Sequence, residues 1–392
     1  MNRLKQAASL LSLLMLLLFA QGAAAETARE LTCQLAGKPI KEIENLSDQN
    51  YETYWTSVGG SEASVRMKAE EPIASVYVQF YDQAVPLETQ VQNADGTWRT
   101  VGTSGGAFLT AYIELDEPAE FVRLRPAEGK GRMFIAEVHA FSEGETPDWV
   151  QRWQPPLNKA DLLVLAAHPD DEMLFLGGTI PYYAGERQMD VQVAYLVPTM
   201  PYRRLELLDG LWLCGVKHYP ELGTMPDRFC GNLKDMYEQK GWNEASVTRF
   251  VTGLYRRCRP EVVVTHDVHG EYGHGAHRAA ADAAQKAIAL AADPNYQHEG
   301  LKETEPWQVK KLYLHLYEEG ARRMDWDEPL DAFGGRTAVD MAKEAFACHI
   351  SQQRTQYHVE DFGPYDCTRF GLAFSVVGED VEMKDFFENI EK

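Results

Sequence analysis

Four of the chain's eleven histidines, His266, His269, His274 and His277, crowd the stretch THDVHGEYGHGAH (265–277). About a hundred residues earlier AHPDDE (167–172) sets His168 beside Asp170, Asp171 and Glu172. Imidazole and carboxylate are the donors that hold a zinc ion on three protein ligands and leave a fourth position open. An ion held in that way lowers the pKa of its water to about 7 and polarises a carbonyl, which is the chemistry of amide or ester hydrolysis. The acids also have a plainer reading. Asp170, Asp171 and Glu172 stand where a helix begins, and the unpaired N–H groups and dipole there favour negative charge.

The elements that carry the two stretches favour the metal. DLLVLAA (161–167) and EVVVTH (261–266) are continuous apolar, β-branched runs, each followed by a polar loop and a helical pattern. Such runs alternating with helices predict a mostly parallel sheet covered on both faces, an α/β domain. In open α/β sheets ligands gather beyond the carboxyl ends of the strands, where both stretches fall. Pro169 fixes the backbone after His168, a helix is expected through EMLFLGGTIPYYA, and HRAAADAAQKAIA is a second helix opened by His277.

The two motifs together resemble the N-acetylglucosaminyl de-N-acetylase family, PIG-L or LmbE-like, over residues 160 to about 290, and more weakly through HISQQ (349–353) and FGLAFSVVGED (370–380). The resemblance implies a Rossmann-like fold for the α/β domain, one zinc ion per chain and removal of acetyl groups from N-acetylglucosamine conjugates. By position it makes His168, Asp171 and His277 the metal ligands and Asp170 the general base. His274 and Tyr272 become the groups that stabilise the oxyanion or protonate the leaving amine. YRRLELLDGLWLCGV (202–216) is similar to the family's Arg-x-x-Glu helix, so Arg203 is a candidate substrate contact, with Arg204 its competitor. His266 and His269 are alternative ligands to His277, and Glu172 is either a further ligand or a helix cap. The family often has an acid between the histidines of H-x-x-H, where this chain has Gly275 and Ala276, so Asp267 or Glu271 is expected to orient His274 instead. His218, His298, His315 and His358 fit no spacing.

Residues 26–145 follow different rules. Short alternating runs, SVYVQFY (75–81), ETQVQ (88–92), AYIEL (111–115), FVRLRP (121–126) and IAEVHAF (135–141), are separated by turn signals such as NADGTW and AEGKGR, as in an antiparallel β-sandwich. NLSDQNYETYWTS (45–57), DGTWRTVG (95–102), FVRLRP and IAEVHAF resemble a discoidin-like, galactose-binding module of coagulation-factor type. That resemblance implies loops that bind a cell-surface glycan, and makes Asp48 a candidate Ca2+ ligand, although an acid there also caps a turn. Trp55 and Trp98 either stack on sugar or fill the core, and large aromatics mostly fill interiors. Residues 146–159, polar and Pro-rich, are the expected linker to an α/β domain at 160–392.

The first 25 residues carry Arg3 and Lys5, an apolar run and a terminal Ala-Ala-Ala, the pattern of a cleaved secretory signal, too short for a comfortable membrane span. A secreted or cell-surface protein without a transmembrane span is the expectation. With 38 Lys plus Arg against 59 Asp plus Glu, the charge of −21 repels nucleic acid. The six cysteines have no C-x-x-C spacing, no G-x-S-x-G elbow occurs, and no G-x-x-x-x-G-K loop is present. The function expected is zinc-dependent deacetylation of a glycan or glycoconjugate. The alternatives are a zinc amidase acting on another conjugate and a non-catalytic exported glycan-binding protein.

Overall fold

The computed structural model describes residues 27–390, so the expected signal peptide lies outside the described residues. Seven strands build the first half: β1 (Gln34–Gly37), β2 (Trp55–Thr56), β3 (Val65–Phe80), β4 (Leu87–Gln92), β5 (Trp98–Ser104), β6 (Thr110–Pro126) and β7 (Phe134–Phe141). All pair antiparallel in the order β2-β7-β3-β6-β4-β5, with β1 on β3. AYIEL and FVRLRP, expected as two strands, are one strand, β6, whose pairing with β3 shifts register around Ile73. Such irregularity bends a long strand without ending it. Alternation along β3 sends Val65, Met67 and Ala69 inward and Arg66, Lys68 and Glu70 out.

Trp55 is fully buried, whereas Trp98 is half-exposed with the Arg123 guanidinium 4.3 Å over its ring, so only the first fills the core. Asp48 caps a turn: its Oδ1 accepts the Asn50 N–H at 3.0 Å and its Oδ2 the Thr53 hydroxyl at 2.7 Å. It belongs to none of the potential metal-holding groups among the described residues.

The second half holds β8 (Leu162–Ala166), β9 (Val191–Tyr195), β10 (Glu221–Leu222), β11 (Val262–Thr265), β12 (Lys311–His315), β13 (Arg322–Arg323) and β14 (Arg369–Ser375). They lie in the order β10-β9-β8-β11-β12-β14-β13. From β10 to β12 the pairs are parallel, and β14 runs antiparallel to both its neighbours, which makes the sheet mixed. β8 lies beside β11 with Leu165 opposite Thr265, and this single adjacency brings the loops after both strands together. The helices are α1 (Asp171–Leu174), α2 (Pro201–Leu213), α3 (Leu233–Glu238), α4 (Glu244–Cys258), α5 (Gly275–Ala292) and α6 (Ala338–Ala347). The helix expected through EMLFLGGTIPYYA is broken into α1 and a π-turn helix at Pro181–Glu186. Gly177 and Gly178 lie at the break, the first through its backbone angle and the second through a close approach to its neighbour. Gly177 has φ +35°, and a Cβ on Gly178 would stand 2.6 Å from the Trp326 ring.

Leu163 and Leu165 face a cluster under α4 and α5, while Leu162, Val164 and Ala166 face a cluster that continues without interruption into the β half. Residues 146–159 are packed rather than loose, with Val150, Gln151 and Trp153 buried. Polar contacts cross the same junction. Tyr51 Oη donates to Asp209 Oδ2 at 2.8 Å, Gln151 donates to Asp209 Oδ1 at 2.6 Å, and Arg204 meets Asp82 at 3.1 Å. All six cysteines are free.

Burial pushes the Asp209 carboxyl up to about 7, above the value of about 3.9 for an unfolded chain. A raised acid holds its proton more tightly in the fold, so its stabilisation is complete below the unfolded value and is lost as pH rises through about 7. The melting temperature should therefore fall from about pH 4 to about pH 7 and level off above, and Asp209→Asn should flatten that slope. A variant melting with an unchanged slope would clear Asp209 of the effect.

Candidate functional site

The two carboxyl ends deliver their side chains into one buried cluster. His168 leaves β8, and Asp171 opens α1 and turns back: its Oδ2 accepts the His168 backbone N–H at 2.7 Å and lies 3.0 Å from His168 Nδ1. His277, on the first turn of α5, brings its Nε2 to 3.3 Å from the same oxygen. One ligand atom from each of His168, Asp171 and His277 lies within 4.8 Å of the others. Nε2 of His168 and of His277 are both buried and make no hydrogen bond. Buried ring nitrogens are rarely left orphaned, and a pair converging on a carboxylate has the donor chemistry of a divalent zinc-type site. Burial works against charge on His277, yet Asp171 and Glu271 raise it to about 10, so a cation entering here displaces a proton.

A second group, His266, Glu271 and His277, has comparable spacing, but its nitrogens are in use. His266 Nε2 accepts the Ala167 backbone N–H at 2.9 Å, and its Nδ1 meets Glu271 Oε2 at 2.8 Å. His266 is therefore a brace between the two strand ends. His269 belongs to neither group.

Glu271 is the hub of the cluster. Its Oε2 takes Nδ1 of His266 and Nδ1 of His277, the latter at 2.7 Å, and its Oε1 takes Nδ1 of His315 at 2.6 Å. Burial alone would protonate this carboxyl, but His266, His277 and His315 hold it well below the usual range. The acid expected to orient His274 thus orients His277 instead. His274 is set by its own helix: as N-cap of α5 its Nδ1 accepts the Ala276 backbone N–H at 3.1 Å. Asp267 turns to the His269 N–H and does not reach His274. Burial, with His168 and His277 alongside, lowers His274 to about 2, so the ring is neutral and carries its proton on Nε2.

Asp170 has φ +108°, a strained angle for a residue with a side chain. Its backbone N–H is clamped by Glu172 Oε2 at 2.9 Å, and Glu172 Oε1 lies 3.3 Å from Nε2 of fully buried His349. Glu172 is thus a backbone clamp outside both ligand groups. Burial and then Asp171 push the Asp170 carboxyl up to about 7, against the pull of Arg203, whose Nη2 meets Asp170 Oδ2 at 3.0 Å. Arg203 also donates to the Pro169 carbonyl at 2.6 Å. Arg204 points the other way, to Asp82 and the Pro198 carbonyl, which separates the two candidates. Tyr272, with φ +44°, stands 5.6 Å from His274 ring to ring and stacks on Tyr357 at 4.5 Å.

His315 and His349 were not singled out from the sequence. His315 is the last residue of β12, so a histidine closing an apolar run beside β11 was the available signal. His349 follows α6 and opens HISQQ, a stretch the family resemblance reached only weakly and to which it gave no role.

Residues 163–288 match the family model described as PIG-L: GlcNAc-PI de-N-acetylase. A 1D-myo-inositol 2-acetamido-2-deoxy-alpha-D-glucopyranoside deacetylase of Thermobifida fusca is 30% identical over 216 residues, 47% of this chain and 72% of that protein. A deacetylase of the same description from Frankia alni is 30% identical over 174 residues, and the match spans 59% of its length and 38% of this chain. Among solved structures, N,N'-diacetylchitobiose deacetylase from Pyrococcus horikoshii aligns at 20% identity and a TM-score of 0.37, covering 51% of this chain and 74% of that one.

Proposed function

The chain belongs to the PIG-L, GlcNAc-PI de-N-acetylase, family, and we propose that it is a zinc-dependent hydrolase that removes the acetyl group from an N-acetylglucosamine unit of a glycan or glycoconjugate. The observation that carries this reading is the convergence of His168, Asp171 and His277, with two buried Nε2 atoms that make no hydrogen bond, beside an acid that is held but not consumed by the cluster. Export, suggested by the first 25 residues, and a discoidin-like character for residues 26–145 belong to the same reading. No helix among the described residues is long and apolar enough to cross a membrane.

In this scheme His168, Asp171 and His277 hold the metal. When bound, zinc polarises the acetyl carbonyl and lowers the pKa of water at its open position. Asp170 takes the proton from the attacking water and later returns it to the leaving amine. Neutralising Asp171 removes the second of the three causes that raise Asp170, after burial and ahead of Glu172, and helps it stay ionised at neutral pH. Arg203, touching Asp170 Oδ2, fixes the carboxylate in place. His274, neutral with Nε2–H free, is a hydrogen-bond donor to the developing oxyanion, and the Tyr272 phenol stands beside it.

The test is elemental analysis of the purified chain together with acetate release from N-acetylglucosamine conjugates. About one zinc per chain is expected, lost on His277→Ala, with turnover abolished by a chelator and restored by zinc. Full activity in the presence of chelator, or metal retained by His277→Ala, would overturn the ligand assignment.

A further inference from the structure

Where the two halves meet there is a cavity of about 960 Å³ that shares no residue with the metal-ligand cluster. Its walls come from Tyr51 of the β half, the 145–152 segment, the end of the π-turn helix, the C-terminal half of α2, and α6 with the residues flanking it. Asp209 stands on it six residues along α2 from Arg203, about 9 Å at 1.5 Å per residue.

Three features define what the cavity would accept. The first is charge. Arg152, Lys217 and Arg336 share its walls with Glu145, Asp148 and Asp209, in a chain whose overall charge is −21. A wall of mixed sign selects neither a polyanion nor a cation. The second is a fixed aromatic plane. Trp149 is 43% exposed, yet its ring is held by His139 at 4.9 Å, Phe141 at 5.7 Å and Tyr77 at 5.8 Å. Trp212 is locked by donating Nε1 to the Asp148 carbonyl at 2.7 Å. The third is acceptor capacity. Each oxygen of Asp209 takes one hydrogen bond, from Tyr51 or Gln151, and keeps a second lone pair for a hydroxyl donor.

A rigid apolar plane, an oriented carboxyl group and walls of mixed sign are complementary to a pyranose, which has an apolar C–H face and a rim of hydroxyls. Ligand sites also favour domain junctions, and a volume of this order accommodates a ligand of a few rings. We propose that this junction cavity is a second carbohydrate-binding site, taking a neutral mono- or disaccharide unit on Trp149 and Asp209. The site does not depend on the metal cluster or on the deacetylase reading.

The experiment uses the full chain with Asp170→Asn, so that no probe is consumed. N,N'-diacetylchitobiose, cellobiose and lactose are titrated by calorimetry and by tryptophan fluorescence. At least one sugar should bind, and Trp149→Ala in the same background should weaken it about tenfold, equivalent to about 1.4 kcal/mol and within the range of a lost aromatic contact. Trp149→Phe keeps the packing and Asp209→Asn keeps the shape, so these two decide the matter if the alanine variant is poorly folded, each weakening binding measurably. Binding should survive His277→Ala. The proposal is overturned if none of the three sugars binds, if neither Trp149→Phe nor Asp209→Asn changes affinity, or if His277→Ala abolishes binding. Acetate release by the unsubstituted chain is read separately, so sugar binding without acetate release would sink the catalytic reading and leave this one standing.

Discussion

Asp170→Asn should keep its metal and lose turnover by about 10²- to 10⁴-fold, the usual contribution of a positioned general base. The substitution is informative because of the backbone at this position. At φ +108° most side chains would add strain, whereas asparagine tolerates positive φ better than most residues and still offers Arg203 an acceptor oxygen. What disappears is the capacity to accept a proton. Measuring kcat by acetate release beside zinc content by elemental analysis separates that loss from damage to the site. Turnover within a fewfold of the unsubstituted chain would show that another group takes the proton.

Glu271→Ala should reach further, affecting metal affinity and stability together. Three imidazoles, His266, His277 and His315, direct Nδ1 at this one buried carboxylate. Removing it frees His277 to rotate away from Asp171 and leaves buried N–H groups with no acceptor. Loss of such an outer partner of a ligating histidine typically lowers metal affinity about 10- to 100-fold. Breaking a buried charge network by deleting one member costs about 3–5 kcal/mol. Competition with a chelator reads the first effect and urea denaturation the second. Glu271→Gln, which restores shape and one acceptor, should recover part of both. Unchanged zinc affinity in the alanine variant would mean that Glu271 does not orient His277.

The sequence made the two strand-end motifs legible because each is local: an apolar run, a polar loop, then a helix start within a few residues. That they converge follows from β8 lying directly beside β11, which the parallel α/β pattern allowed but did not dictate. The partners beyond the motifs were not legible. His315 reaches Glu271 across 44 residues, and His349 reaches Glu172 across 177, with no spacing rule to mark either. The role of Glu271 was misassigned for a related reason. The loop from His266 to His277 folds so that the carboxylate points under His277, and its backbone path through Gly270 and Tyr272, both at positive φ, is not written in any periodicity. In the first half the alternation identified the strands but not their fusion, since AYIEL and FVRLRP are joined through DEPAE without a turn.

The junction between the halves, with one continuous apolar cluster, the Tyr51–Asp209 bond and the stacking of Phe108 on Tyr219 at 4.8 Å, has a mechanical consequence. A β module attached by a slack tether would let the α/β half search a volume set by tether length and visit many attachment points on a polymer from one anchorage. This chain has no slack to search with. A ligand taken up by the first half would be held at a fixed bearing and distance from the second, so on an extended glycan the reach of the proposed activity would be a property of the molecule's shape, and each new position would require the whole body to let go and rebind.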